Sequence, residues 1–530
     1  MRIHLVKQGV IYINRAQKYF FNALLLSASS IALRGIGVAF NAYISERLGA
    51  QGMGLLTLMG GIFGFTITLA CSGVNLAVVR LVSSSVAKGD GRARKIMRAS
   101  FFYSLIFSFG AALLLLFLAA PIGNGLLHDS RVVLPLRVFA FSLPAISVSS
   151  AISGYFHAVR RVYKSVISQF VEQGVRVTLC SYLLVIVSGK TLEASCVAFV
   201  LGGVISEISS ATVSGILYLI DRKKHFESER WRGGTELGRI GAVALPVAVS
   251  AYVRSALTTV EHLAIPWGLR RCGLDYEASI SSYGILHGMV IPLLLFPSAM
   301  LGAFSSLLVP ELSEANACQS VRRVKYIVSR AFALSLLFSI GISGAFISFS
   351  YEIGVFLYGS TQAGEYIRLL APLIPLMYLD GAVDAMLKGL GEQLYTMRVN
   401  ISDSLLSVLL IVSLLPRFGI RGYVAVIFIT EVFNTSFSII KLLNISGVST
   451  PVTKWIIKPL FSIALSTLLT RLFFDCDFAS RLLGIVPYGK GYLFCEIAIA
   501  CLLYLIFSRI LGAISRDDIE WGKRILKRKT

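Results

Sequence analysis

The sequence predicts an all-α polytopic membrane protein, on three observations. Of its 530 residues 55% are hydrophobic and only 15% charged, whereas soluble domains carry close to a quarter charged residues. Apolar stretches of about 20 residues, long enough for a helix to cross a bilayer, recur along the whole chain. The basic residues fall unevenly between those stretches, which is how membrane chains encode orientation. A β-barrel would instead show short segments of alternating pattern.

A net charge of +22 would suggest nucleic acid if it lay on a soluble face. Here it sits in the loops between spans, so no nucleic-acid partner is expected. The eight cysteines have no paired spacing, and Cys71, Cys180, Cys196, Cys495 and Cys501 lie inside apolar runs as small hydrophobes. No disulfide framework or zinc signature is visible. A Walker loop and a nucleophile elbow are also missing. The sequence therefore predicts no enzyme, no cofactor and no metal centre.

Residues 1–19 form a basic cytoplasmic segment that leads into an uncleaved first span. About fourteen spans follow, near 20–43, 55–82, 99–120, 133–157, 165–187, 193–220, 239–264, 280–308, 328–350, 366–388, 397–415, 422–443, 455–474 and 490–512. The second, which is Gly-rich, and the eighth, which is Gly-rich and Pro-containing, read as candidates for broken helices. With these boundaries about 34 of the 50 Lys and Arg fall on the face holding the N-terminus, and about 12 on the other. Both termini are thus expected in the cytoplasm, including a basic tail over 514–530.

The first span, Phe20 to Tyr43, carries Arg34 near its middle. A central arginine costs about 2.5–3.5 kcal/mol on insertion and is kept facing a polar interior. At helical spacing Ser27, Ser30, Arg34, Gly37 and Asn41 form one polar and small stripe. That stripe marks Arg34, Ser30 and Asn41 as candidate substrate-binding residues.

The longest cytoplasmic loop, 221–238, mixes basic and acidic residues around Gly233-Gly234 and reads as a linker between halves. An offset of 231 takes Arg137 to Arg368, Ala140 to Ala371, Pro144 to Pro375, Ala151 to Ala382 and acidic Glu172 to Asp403. An offset of 230 takes Ser83, Arg92 and Lys95 to Ser313, Arg322 and Lys325, and one of 220 takes Arg34 to Arg254. The ordered series predicts two six-helix lobes in pseudo-twofold repeat, 20–220 and 239–443, with an extra pair of helices over 454–513. Parallel repeats place a substrate site between the halves, near mid-bilayer.

Arg254 shares its helix with Thr258 and Glu261, four and seven residues on. Two arginines at similar depth suit a phosphate or carboxylate. The bland alternative is that Glu261 neutralises Arg254. In the tenth span Asp380, Asp384 and Lys388 align at four-residue spacing. Asp380, Asp384 and Asp403 are candidates for binding a coupling proton or cation, against an intrahelical Asp384–Lys388 pair. Glu172 and Arg176 have the same spacing and favour an ordinary ion pair.

These features are similar to a known family. A first helix with a mid-membrane arginine precedes Leu-Gly-Ala-x-Gly-x-Gly (Leu48 to Gly54). The second helix ends in Val-Arg-Leu-Val-Ser (Val79 to Ser83), and the repeat contains Leu-Val-Pro-Glu-Leu-Ser-Glu-Ala (Leu308 to Ala315). The chain resembles the stage V sporulation protein B and polysaccharide-export branch of the multidrug/oligosaccharidyl-lipid/polysaccharide (MOP) exporter superfamily, from about residue 18 to 513. The lipid II flippase is a relative.

The resemblance implies two six-helix lobes, a central cavity with essential arginines, and a C-terminal helix pair forming a groove for a lipid tail. Arg34 matches the family's first-helix arginine, and Arg80 is a counterpart of a second-helix arginine. A further family arginine falls near Phe40 or Asn41 and is absent here. The implied function is a flippase for an undecaprenyl-diphosphate-linked saccharide or peptidoglycan precursor, with membrane lipids around it. A cation-coupled drug antiporter of the same superfamily is the second candidate. The third is a non-transporting scaffold that recruits cell-wall synthesis enzymes.

Overall fold

A computed structural model of the protein describes residues 2–88, 91–225, 236–448, 451–475 and 490–514. Every regular element among them is helical. The described residues fall into two compact units, 1–284 with 408–419, and 285–407 with 420–530.

The first unit contains α1 (Arg2–Cys71), α2 (Val74–Lys88), α3 (Ala93–Ala120), α4 (Val133–Ala140), α5 (Leu143–Ala158), α6 (Val162–Ile186), α7 (Leu192–His225), α8 (Glu236–Arg271) and α9 (Tyr276–Tyr283). The second contains α10 (Ile291–Leu295), α11 (Ser298–Ala317), α12 (Val321–Ser348), α13 (Ser350–Tyr358), α14 (Thr361–Leu370) and α15 (Ile374–Gly389). It continues through α16 (Gln393–Ser446), α17 (Lys458–Asp475) and α18 (Lys490–Ile510). Residues 408–419 of α16 belong to the first unit.

Ten of these helices are long and apolar enough to cross a membrane, or eleven if the bent pair Ser130–Ala140 and Leu143–Ala158 is one span. The sequence predicts about fourteen. Part of the difference is that two stretches are too long for one crossing. Ala28–Val86 has 59 residues and Gln393–Ser446 has 54. At 1.5 Å per residue each runs roughly 80–90 Å, against a hydrocarbon core of about 30 Å. Both carry a glycine break. Gly49 has φ 66° and ψ −177°, a region that only glycine occupies without strain, and Gly419 has φ 57°.

The Leu48–Gly54 motif acquires a physical cause here. Gly49 turns the chain, and Gly54 lies directly on the backbone carbonyl of Ile280, where a Cβ would collide. The second predicted stretch is broken at Ser72 and Gly73, both at positive φ, and the eighth at Phe296–Pro297.

Prolines start two corresponding helices. Pro144 sits at the start of α5 and Pro375 at the start of α15, so neither helix extends backward without losing a backbone bond. These are the prolines related by the 231-residue offset, and α5 and α15 are each 16 residues long. The expected linker boundary shifts, because α7 continues through His225 and takes in Asp221. Most of the linker, 226–235, lies outside the described residues, as does the tail beyond 514.

Each unit has its own core. In the first, Val78, Met97, Tyr155, Phe156, Ile240 and Ala244 are buried together. Close approach of α5 to α2 depends on Gly154, whose absent Cβ would stand 2.7 Å from the Asn75 carbonyl. In the second, Leu312, Val328, Val383, Met386, Trp455 and Tyr504 form the centre. The last pair of helices docks on α12 at two glycines, with the Tyr504 ring over Gly341 and Ile463 against Gly344. The Tyr504 hydroxyl donates to the Leu337 carbonyl at 2.6 Å.

Candidate functional site

Arg34 and Ser30 are exposed on the first limb of α1, before the Gly49 break, and Asn41 is half-buried. The Asn41 Oδ1 is buried without a hydrogen-bond partner. Arg80 is exposed on α2. Arg254 and Thr258 are exposed on α8, and Glu261 is half-buried.

α8 packs along the second limb of α1. Thr259 Oγ1 donates to the Gly61 carbonyl at 3.0 Å, Thr68 donates to Ser255 at 3.3 Å, and Ser72 bonds Tyr252. Arg254 is thereby fixed on a helix whose neighbouring side of small and hydroxyl residues is consumed by packing. The Arg254–Glu261 neutralisation is not formed, since Arg254 has no ion pair among the described residues. Thr258 instead spends its hydroxyl on the Arg254 carbonyl, at 3.1 Å.

The second unit gathers the carboxylates. Asp380 and Asp384 lie on α15 and Asp403 on the first limb of α16. Glu431, on the second limb of α16, has both Asp380 and Asp403 as electrostatic neighbours. A polar chain threads the group. Asn434 Nδ2 donates to Asn400 Oδ1 at 3.3 Å, and Asn400 Nδ2 donates to Asp384 Oδ2 at 3.3 Å. Thr435 donates to Glu431 at 3.3 Å.

The intrahelical alternative is also present, with Lys388 Nζ 3.6 Å from Asp384 Oδ2. Lys388 is 48% exposed while Asp384 is 15% exposed, so the cation sits at the rim. The other oxygen, Asp384 Oδ1, and Asn434 Oδ1 are buried without hydrogen-bond partners. Buried acceptors without a partner are costly. Among the described residues no three His, Cys, Asp or Glu side chains are arranged to hold a metal ion.

A third polar centre lies inside the first unit. Arg176 Nη2 lies 2.8 Å from both Glu172 and Glu207. The expected Glu172–Arg176 pair is formed, and Glu207 joins it. Glu172 and Glu207 border a cavity of about 270 Å³ whose lining includes Asn75, Ser150, Ser168 and Gln169. Glu207 and Glu431 were not singled out from the sequence. Each is an ionisable residue inside an apolar span, the signal that singles out Arg34.

Residues 21–265 match the family of polysaccharide biosynthesis proteins. The chain is 27% identical over 419 residues to stage V sporulation protein B of Bacillus subtilis (strain 168), across 77% of this chain and 80% of the relative. Solved structures share its fold, two of them as follows. One is the lipid II flippase MurJ in an inward closed conformation, with TM-score 0.63 and 14% identity over 94% of this chain and 98% of that one. The other is an inward-facing multidrug resistance MATE family transporter of the MOP superfamily, with TM-score 0.62 and 14% identity over 79% and 96%. The chain is a multi-pass membrane protein, related to stage V sporulation protein B and built on the fold of the MOP superfamily transporters.

Proposed function

We propose that the protein is a flippase that moves an undecaprenyl-diphosphate-linked saccharide or peptidoglycan precursor across the cytoplasmic membrane by alternating access. The observation that carries it is Arg34, an arginine in the middle of the first predicted span, with Arg254 as its companion. Their forks suit a diphosphate, and a carboxylate there would suit a cation. Likeness to the lipid II flippase fold and to stage V sporulation protein B supports the same class. In this reading about fourteen spans form two six-helix repeats, with both termini cytoplasmic. Ser30, Asn41, Arg80, Thr258 and Glu261 complete the head-group site. The α17–α18 pair steers the polyprenyl chain, and the Asp380, Asp384 and Asp403 group takes up a proton during the cycle.

The test is binding of a polyprenyl-diphosphate saccharide to purified, folded Arg34→Ala protein. Losing a charged hydrogen-bond partner costs on the order of 2–5 kcal/mol, so affinity should fall roughly 30-fold or more. Arg34→Lys should fall less, because charge remains while the fork is lost. Unchanged affinity in both variants removes the anionic head group. A second function, cation-coupled export of a small molecule, is favoured by the carboxylate group and by the MATE-like fold. Co-purification of a cationic compound, without any diphosphate lipid, would select it.

A further inference from the structure

We propose a second anion site, at the end of α8, that binds the phosphate of an anionic lipid headgroup at the membrane–water boundary. A dish of about 500 Å³ is lined there by His128, Trp267, Arg270, Arg271, Leu274 and Tyr276, with Asp275 at its edge. The Arg270 guanidinium lies over the Tyr276 ring at 5.5 Å, and that of Arg271 over the Trp267 ring at 4.6 Å. Stacking holds both forks in place, which reduces what must be ordered on binding. Among the described residues neither guanidinium has an ion pair.

The carboxylates nearby are already committed. Asp275 Oδ1 accepts from the Ala278 amide at 2.7 Å and so caps α9. Asp129 is buried under Arg131, whose Nη2 donates at 2.7 Å and Nε at 2.9 Å. The dish is therefore cationic. Its lining includes exposed apolar side chains, with Trp267 41% exposed and Leu274 37%. An exposed tryptophan beside cations is the composition of a membrane interface.

The orientation read from the loops places this end of α8 on the face poor in basic residues, where two adjacent arginines run against the trend. Arg270 lies roughly 24 Å from Arg254 along the helix, so the dish is separate from the mid-span arginines and does not depend on their role.

The same chemistry has two sources, a lipid phosphodiester or a soluble phosphate, and the exposed apolar lining favours the lipid. The experiment is native mass spectrometry of the full chain in neutral detergent, titrated with phosphatidylglycerol and, separately, with inorganic pyrophosphate. Phosphatidylglycerol should bind wild type, and Arg270→Gln/Arg271→Gln should weaken it about tenfold or more. Arg270→Lys/Arg271→Lys should fall between them. Arginine-dependent pyrophosphate binding, with lipid binding unaffected, would keep the phosphate site and assign it a soluble ligand. Equal binding of both probes by wild type and a glutamine variant with unchanged melting temperature would overturn the site.

Discussion

Lys164 Nζ lies 2.6 Å from Asp221 Oδ1, and the two side chains are 9% and 1% exposed. Tyr155 donates to the other oxygen at 3.0 Å, and Arg161 closes the group. Asp221 thus ties the end of α7 to α5 and α6. Breaking a buried pair by removing one member costs about 3–5 kcal/mol, because the other charge stays buried. Asp221→Ala should therefore unfold at clearly lower temperature in detergent. The double change with Lys164→Met should recover part of the loss, and strict additivity in that cycle would show the pair to be uncoupled.

Orientation can be read with native cysteines. Cys272 and Cys318 are both exposed, and the orientation inferred from the basic loops puts them on opposite faces. In otherwise cysteine-free protein in intact cells, an impermeant maleimide should label Cys272 and spare Cys318. The reverse pattern would invert the topology.

Glycine substitutions separate packing from flexibility. Gly54→Ala forces a methyl into the Ile280 carbonyl, whereas a Cβ at Gly60 meets nothing within 4 Å. Overpacking costs roughly 1–3 kcal/mol. Gly54→Ala should lower the melting temperature and Gly60→Ala should leave it unchanged. Equal effects would mean that α9 gives way.

The carboxylate group should set the pH profile of transport. Asp384→Asn and Glu431→Gln each remove a proton acceptor while nearly keeping shape, and should flatten the acid limb of the profile. Transport with an unaltered profile in the triple Asn variant of Asp380, Asp384 and Asp403 would make these residues structural.

Asp129 supplies a pH dependence outside the spans. Burial alone would raise its carboxyl pKa, but the hydrogen bonds from Arg131 outweigh it and hold the value below the usual 3.8. The unfolded state therefore takes up the proton first. The stabilisation is present above the ordinary carboxyl range and is lost as pH falls through the lower folded value. Hydrogen exchange over 128–132 should accelerate below about pH 4 in wild type. Asp129→Asn should be fast at every pH.

The helical membrane class and the Glu172–Arg176 pair were legible because each follows from spacing along the chain. What escaped depends on contacts between helices. Glu207 reaches Arg176 across 31 residues, and Glu431 meets Asp403 only once α16 has turned at Gly419. Asp221 fell in the predicted linker because its three polar partners, on α5, on α6 and in the turn between them, are invisible along the chain. The Arg254–Glu261 pair failed for the opposite reason, since a same-helix spacing of seven does not make contact by itself.

The seat of Tyr504 on α12 has a consequence for how the protein is made. Its partner, Leu337, precedes it by 167 residues. At a synthesis rate of about 5–20 residues per second, the notch at Gly341 waits roughly ten to thirty seconds for its occupant. During that interval α12 lacks the Tyr504 ring that covers Gly341. Nascent chains stalled between α12 and α18 should thus be the species that membrane quality control recognises.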